Sequence, residues 1–178
     1  MTDALGLGGG LHWSLALAIA YLAGSIPTAY LAGRLLKGVD LRTVGSGNLG
    51  ATNVYRNLGA VPAVLVLALD AAKGALPVYF LPREIAGVFF FESRELLWWG
   101  LACGVMAIVG HAKPIFLLWK GGGKGVATAA GVFAALAPVA LGVALIVFIA
   151  VAAGSGIVSL ASLAAALVLP IAVAVTMS

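Results

Sequence analysis

Residues 125–178 read GVATAAGVFAALAPVALGVALIVFIAVAAGSGIVSLASLAAALVLPIAVAVTMS, with no Asp, Glu, Lys or Arg anywhere in the run. A helix needs about 20 apolar residues to cross roughly 30 Å of hydrocarbon, and this stretch is far longer than one crossing. Pro138, Gly154-Ser155-Gly156 and Pro170 divide it. The division predicts spans over Val126–Ala137, Val139–Ala153 and Ser159–Val175. The first would have about 12 residues, ~18 Å at 1.5 Å per residue, and would be short for a bilayer unless the bilayer thins locally. One long helix from Val126 to Ala153 is the alternative.

The rest of the chain agrees with a membrane class. Apolar residues make up 63% and charged residues 9% of the 178 positions, with a mean hydropathy of +1.15, whereas a soluble domain has roughly 45–50% apolar and about 25% charged residues. Such a composition excludes a disordered chain and a nucleic-acid reader. The lone Cys103, in an apolar stretch, excludes disulfides and cysteine-rich metal sites. Leu11–Ala32 carries no charge and is preceded by Asp3 rather than a basic segment, so it reads as a first membrane helix and not a signal peptide. Leu58–Leu81, with Asp70 and Lys73 inside it, and Leu96–Ala112 are the next spans. The expected fold is all-α, a polytopic integral membrane helical bundle with six transmembrane helices, forming a single domain over residues 1–178.

Charge sets the expected orientation. The loop from Arg34 to Arg56 holds Arg34, Lys37, Arg42 and Arg56 against Asp40, and the segment Lys113–Lys124 holds three lysines and no acid, while Pro82–Glu95 has two arginines against three glutamates. By the positive-inside rule the first two face the cytoplasm, the third lies outside, and the N-terminus is outside.

Both basic loops are glycine-rich and polar: Val44-Gly-Ser-Gly-Asn-Leu-Gly-Ala-Thr-Asn-Val-Tyr-Arg56, and Gly110-His-Ala-Lys-Pro-Ile-Phe-Leu-Leu-Trp-Lys-Gly-Gly-Gly-Lys-Gly-Val-Ala-Thr128. Glycine permits positive φ and close backbone approach. Successive N–H groups then form an anion-binding concavity to which Ser, Thr and Asn add donors. Arg56 and Lys124 would add full charges. Each loop is expected to run into a span, aiming helix N-terminal N–H groups at the same place. Two such loops on one side suggest a bipartite phosphate site at the membrane surface; ordinary cytoplasmic turns are the plainer explanation of either alone.

Two nucleotide motifs fail. Gly45-Ser-Gly-Asn-Leu-Gly50 fits G-x-G-x-x-G but lacks the strand and βαβ unit that give it meaning. Gly122-Gly-Lys-Gly125 has glycine where a phosphate-loop NTPase needs Ser or Thr for magnesium. Asp70 and Lys73, three apart on one helix face, suit an intramembrane ion pair, structural or chemical. His111 fits a base, a phosphate donor or an interfacial cap. Ser159 and Ser162 fit hydrogen bonds to backbone carbonyls. Trp13, Trp98, Trp99 and Trp119 read as an interfacial belt.

Gly24-Ser-Ile-Pro27, Gly38-Val-Asp-Leu-Arg42 and Gly45-Ser-Gly-Asn-Leu-Gly-Ala-Thr-Asn53 resemble the first signature of the acyl-phosphate-dependent glycerol-3-phosphate acyltransferases (the PlsY type). Leu69-Asp-Ala-Ala-Lys-Gly-Ala-Leu-Pro77, Gly110-His111, Lys120-Gly-Gly-Gly-Lys-Gly-Val-Ala-Thr128 and Val158-Ser-Leu-Ala-Ser162 resemble its later motifs, in the family's order. The resemblance implies a seven-helix bacterial inner-membrane enzyme with its site on the cytoplasmic face. It would move a fatty acyl group from acyl phosphate to the 1-hydroxyl of glycerol 3-phosphate, giving lysophosphatidic acid and phosphate, with no cofactor and no metal. Its partners would be these two substrates and membrane lipid, with no nucleic acid.

Carried over, Ser46, Asn48, Arg56, Lys124 and His111 are the expected catalytic residues. Gly47, Gly50, Thr52, Asn53, Gly122, Gly123 and Ser159 are the expected substrate- and phosphate-binding residues. The family's seventh helix and His-Arg-x-Asn-Ile tail lie beyond what Ser178 ends, so the chain is expected to be C-terminally truncated relative to the family. With no Ser-His-Asp set and no His-x4-Asp motif, an oxygen of the acyl phosphate is the expected proton acceptor, with His111 the alternative base. A membrane transporter or channel for phosphorylated solutes is the rival function, though no repeat relates the two halves. A non-catalytic membrane scaffold is the third reading.

Overall fold

The computed structural model describes residues 7–86 and 94–176. Among them there is no strand, and eight α-helices follow in order: α1 Leu7–Ser25, α2 Thr28–Lys37, α3 Ala51–Leu58, α4 Ala60–Ala86, α5 Arg94–Ala112, α6 Val126–Leu136, α7 Pro138–Ser155 and α8 Val158–Thr176, with a 3-10 turn at Ile115–Leu117 between α5 and α6. Five stretches are long and apolar enough to cross a membrane: His12–Lys37, Ala60–Glu84, Leu96–Leu117, Pro138–Ser155 and Val158–Thr176. Val126–Leu136 is apolar but shorter, as its spacing to Pro138 predicts. The central part of the acidic segment expected outside, residues 87–93, lies outside the described residues.

Three features depart from the sequence reading. The first span is two helices, because Pro27 lacks an N–H and its ring disfavours helical geometry at Ile26. The second span runs on past Leu81, through Pro82, to Ala86. The first glycine loop does not run into a span: it enters the eight-residue α3, which Gly59, at φ +96°, separates from α4. The single-helix alternative over Val126–Ala153 does not hold either. Ala137, at φ −146° and ψ 66°, interrupts the helix before Pro138.

The chain forms two compact units, residues 1–132 and 133–178. In the first, helices approach through small residues, the way apolar helices pack where lipid offers no hydrophobic drive. A Cβ on Gly24 would lie 2.1 Å from Ala107 O and one on Gly110 2.3 Å from Tyr21 O, so α1 and α5 touch backbone to backbone. Ala16, Ala20 and Cys103 are buried in the same seam. α4 meets α6 reciprocally, Gly74 against Thr128 O and Gly131 against Ala71 O. Trp13 and Trp99 stack on one another at 4.2 Å and 4°, so these two belt candidates are a packed pair.

The second unit is a hairpin of α7 and α8 turning at Gly156, which adopts φ +70° and caps α7 through its N–H to Ala152 O. Ala137, Ala140 and Ala172 form its core with Phe133, Leu169 and Val173.

Candidate active site

At the break between α1 and α2, Ile26 O accepts from Thr28 N at 3.0 Å and from Lys73 Nζ on α4 at 2.8 Å. Lys73 also pairs with Asp70 Oδ1 at 2.8 Å, and Thr28 Oγ1, at the start of α2, donates to the same oxygen at 2.5 Å. The expected intramembrane ion pair is present, and it is larger than a pair. His111, in the last turn of α5, places Nδ1 3.6 Å from Asp70 Oδ1. Burying an ion pair is costly unless further hydrogen bonds satisfy it, and the helix break and Thr28 supply them.

The first loop is folded by two side chains. Asp40 accepts from Arg42 N and Nε at 3.0 Å and from Nη2 at 2.6 Å, with Arg34 Nη2 at 3.6 Å. The Arg42 hydrogen bonds outweigh partial desolvation and hold the Asp40 carboxyl at about 2; the same contact pushes Arg42 up. Asn53, only 2% exposed, is the second organiser. Its Nδ2 donates to Leu41 O and Val44 O, and its Oδ1 accepts from Ser46 N and from Asn57 Nδ2. Gly45 and Gly47 sit at φ +61° and +68°, which lets the chain curl around this amide. Asn53, expected as a substrate ligand, is the hub that shapes the loop, its amide bonded to the chain's own groups.

Ser46 and Thr52 are exposed, and Asn48 is half-buried beside Gly50, the residue that precedes and caps α3. Thr52 and Arg56, four apart, share one face of α3, and both are exposed.

The second loop leaves α5 at His111 and Ala112. Gly123 N donates to His111 O at 3.2 Å. A Cβ on Gly122 would lie 2.2 Å from Ala112 O, and one on Gly123 only 1.9 Å from His111 Nε2. Gly122 lets the loop close on the backbone at the end of α5, and Gly123 lets it lie on the imidazole. Tyr21 OH donates to Lys113 O and accepts from Trp119 Nε1, so Trp119 has a bonding role besides its exposed face.

The two loops meet. Leu49 N donates to Gly122 O at 3.4 Å, and Arg42 Nη1 donates to Lys120 O at 3.1 Å. A cleft of about 200 Å³, counting its open mouth, lies at this junction, lined by Thr28, Leu49, Lys73, His111, Gly122 and Gly123 among others. Ser46, Asn48, Gly47, Gly50, Thr52 and Arg56 lie on the first loop and α3, and Lys124 leads into α6. Among the described residues, neither Arg56 nor Lys124 is engaged by an acceptor or a carboxylate. Ser159 lies at the exposed start of α8 in the second unit. Ser162 bonds back to Val158 O at 3.0 Å.

Sequence reasoning missed Thr28 and underrated Asp70 and Lys73 as part of this place. Their signal was an ionisable pair inside a span together with Pro27 inside another. No group of three metal-ligating side chains occurs among the described residues.

The family model for glycerol-3-phosphate acyltransferase matches residues 14–178. Glycerol-3-phosphate acyltransferase 2 of Moorella thermoacetica is 47% identical over 158 residues, 89% of this chain and 76% of that protein. The glycerol-3-phosphate acyltransferase of Synechococcus sp. (strain CC9902) is 49% identical over 158 residues, 88% of this chain and 74% of that protein. The crystal structure of PlsY (YgiH), an integral membrane glycerol 3-phosphate acyltransferase in its glycerol 3-phosphate form, superposes with a TM-score of 0.79 at 38% identity, covering 92% of this chain and 76% of that one. Its lysophosphatidic acid form gives 0.76 at 37%, with the same coverage. This chain, a multi-pass helical membrane protein whose glycine loops meet at a buried histidine, belongs to the glycerol-3-phosphate acyltransferase family and is an acyltransferase.

Proposed function

We propose that the protein transfers a fatty acyl group from acyl phosphate to the 1-hydroxyl of glycerol 3-phosphate, releasing lysophosphatidic acid and inorganic phosphate as a step of bacterial phospholipid synthesis. The observation that carries this reading is the hydrogen-bonded junction of two cationic glycine loops over the His111 cleft. Both substrates carry phosphate, which accounts for two anion-binding loops where one ligand would need one. The relatives' named activity and the two ligand forms of the solved enzyme point the same way.

In this reading Arg56 and Lys124 grip phosphate, with Ser46, Asn48 and Thr52 adding donors and Gly47, Gly50, Gly122 and Gly123 letting backbone N–H groups approach. Asn53 serves by holding Ser46 in place. An acyl phosphate is a mixed anhydride, so its carbonyl is already activated. The hydroxyl oxygen attacks that carbon, the bond from carbon to the phosphate oxygen breaks, and the proton passes to a phosphate oxygen. No covalent enzyme intermediate is needed. The protein supplies placement and charge stabilisation.

In this reading the site faces the cytoplasm from the inner membrane and the N-terminus lies outside, which the seven basic residues of the two loops support. The test is release of phosphate from palmitoyl phosphate by the purified chain with and without glycerol 3-phosphate. Release only in its presence is expected. Release independent of it, or a chain that moves phosphorylated solutes across vesicles without acyl transfer, would overturn the assignment.

A further inference from the structure

His111 Nδ1 is fully buried and has no hydrogen-bond partner. A buried polar atom without a partner costs about 1–3 kcal/mol, and native structures rarely leave one without a reason. The nearest charged atom is Asp70 Oδ1 at 3.6 Å, a few tenths of an ångström outside bonding distance. On the opposite edge of the ring, Nε2 lies against Gly123 at the cleft. The ring therefore has one edge toward a fixed carboxylate and the other toward the place where substrate would sit.

We infer that Asp70 is a positioning residue: it holds His111 as the tautomer protonated on Nδ1, so that Nε2 presents a lone pair to a hydroxyl of the glycerol backbone. Lys73 and Thr28 fix Asp70 Oδ1 from two sides, and Lys73 is itself anchored on Ile26 O. Lys73 cancels the carboxylate charge, so the group aims the ring without adding net charge to a site that must accept anions. A neutral acceptor at Nε2 orients the hydroxyl toward the acyl carbon, while the proton still leaves with the phosphate. Small motions suffice to close the Nδ1 contact, as catalytic hydrogen bonds are often long before substrate arrives. The inference rests on the acyl-transfer reading for what the oriented hydroxyl does, and on geometry alone for the tautomer.

The test joins a spectrum to a kinetic cycle. The chain has two histidines, His12 and His111, so nitrogen-15 histidine labelling with His12→Gln as the assignment control isolates the His111 signals. Wild type should show a protonated Nδ1 and an unprotonated Nε2; Asp70→Asn should give a tautomer mixture. Because Asp70→Asn leaves Lys73 unneutralised, Asp70→Asn/Lys73→Met is made beside it to keep the site neutral. Turnover should fall about tenfold in His111→Ala and about tenfold in the Asp70 variants, the worth of one aligned neutral hydrogen bond. In the His111→Ala background the Asp70 change should cost nothing more. Losses that multiply, or a His111 tautomer unchanged by Asp70→Asn, would overturn the inference. A wild-type chain that releases no phosphate refutes the acyl-transfer reading instead, and the nitrogen spectrum still decides the role of Asp70.

Discussion

Gly123→Ala tests whether the second loop and the imidazole form one unit. The added Cβ would lie 1.9 Å from His111 Nε2, 2.6 Å from Cε1 and 3.0 Å from Cδ2, whereas ordinary contact begins near 3.4 Å. Something must move by about 1.5 Å, the difference between 3.4 and 1.9 Å. The ring has little room to retreat, being 6% exposed with Asp70 3.6 Å from its other edge. The loop is tethered as well, since Gly123 N is bonded to His111 O and Gly122 O to Leu49 N. Overpacking of this kind costs ~1–3 kcal/mol, and a displacement of about 1 Å at a reacting centre costs on the order of 100-fold in rate. Phosphate release from palmitoyl phosphate should therefore drop by about two orders of magnitude, with a modest fall in melting temperature in detergent. Gly142→Ala is the control: it lies inside α7 with nothing within 4 Å of an added Cβ, and it should leave turnover unchanged while adding up to about 1 kcal/mol of stability. A Gly123→Ala enzyme within about twofold of wild type would refute the contact.

Arg56→Ala and Lys124→Ala each remove a cation that no other described group engages, and each should weaken glycerol 3-phosphate binding by about 1.5–3 kcal/mol, the worth of a hydrogen bond to a charged group; calorimetry showing ordinary affinity in both would count against the site. Asn53→Leu strips partners from Ser46 N, Leu41 O and Val44 O, and should cost about 1–3 kcal/mol or more of stability and disorder the Ser46 turn, read as a lower melting temperature together with lost turnover. The Asp40 carboxyl is held at about 2, below its ordinary 3.8, by Arg42. A depressed carboxylate contributes its stability in full above its unfolded value and loses it as pH falls toward the folded one. The melting-temperature gap between wild type and Asp40→Asn should therefore be constant from pH 8 to about 5 and close between about pH 4 and 2. A gap that grows on acidification would be the wrong sign.

The membrane class and the helical hairpin of α7 and α8 were legible because their signals are local. Charge-free length fixes a crossing, and Pro138 and Gly156 fix the breaks by their own backbone chemistry. The helix α3 was hidden by the residues that make it useful. Gly50 and Gly59 bracket it, and Thr52 and Arg56 read as loop donors until the backbone shows them one turn apart. Asn53 illustrates the limit of residue type as evidence, since nothing in a glycine loop's sequence tells which polar side chain will bond the loop's own carbonyls and N–H groups, as this one does. The Asp70–His111 approach had no signal at all. Forty-one positions and a helix pairing separate them, and only the crossing of α4 with α5 makes them neighbours.

An activated anhydride sets an unusual demand on a scaffold. When the substrate carries both the leaving group and the proton acceptor, rate depends on holding two phosphates and one hydroxyl in register, so stiffness takes the place of a catalytic base. For the proposed reaction, the first unit offers that stiffness by joining its helices through glycine and alanine. Gly24 on Ala107 O, Gly110 on Tyr21 O, Gly74 on Thr128 O and Gly131 on Ala71 O are backbone-to-backbone contacts with no side chain between them to change rotamer. Gly110 immediately precedes His111, and Gly74 follows Lys73. The residues that set the spacing of the helices are thus the chain neighbours of those that line the cleft, and a shift of either crossing would carry His111 or Lys73 with it.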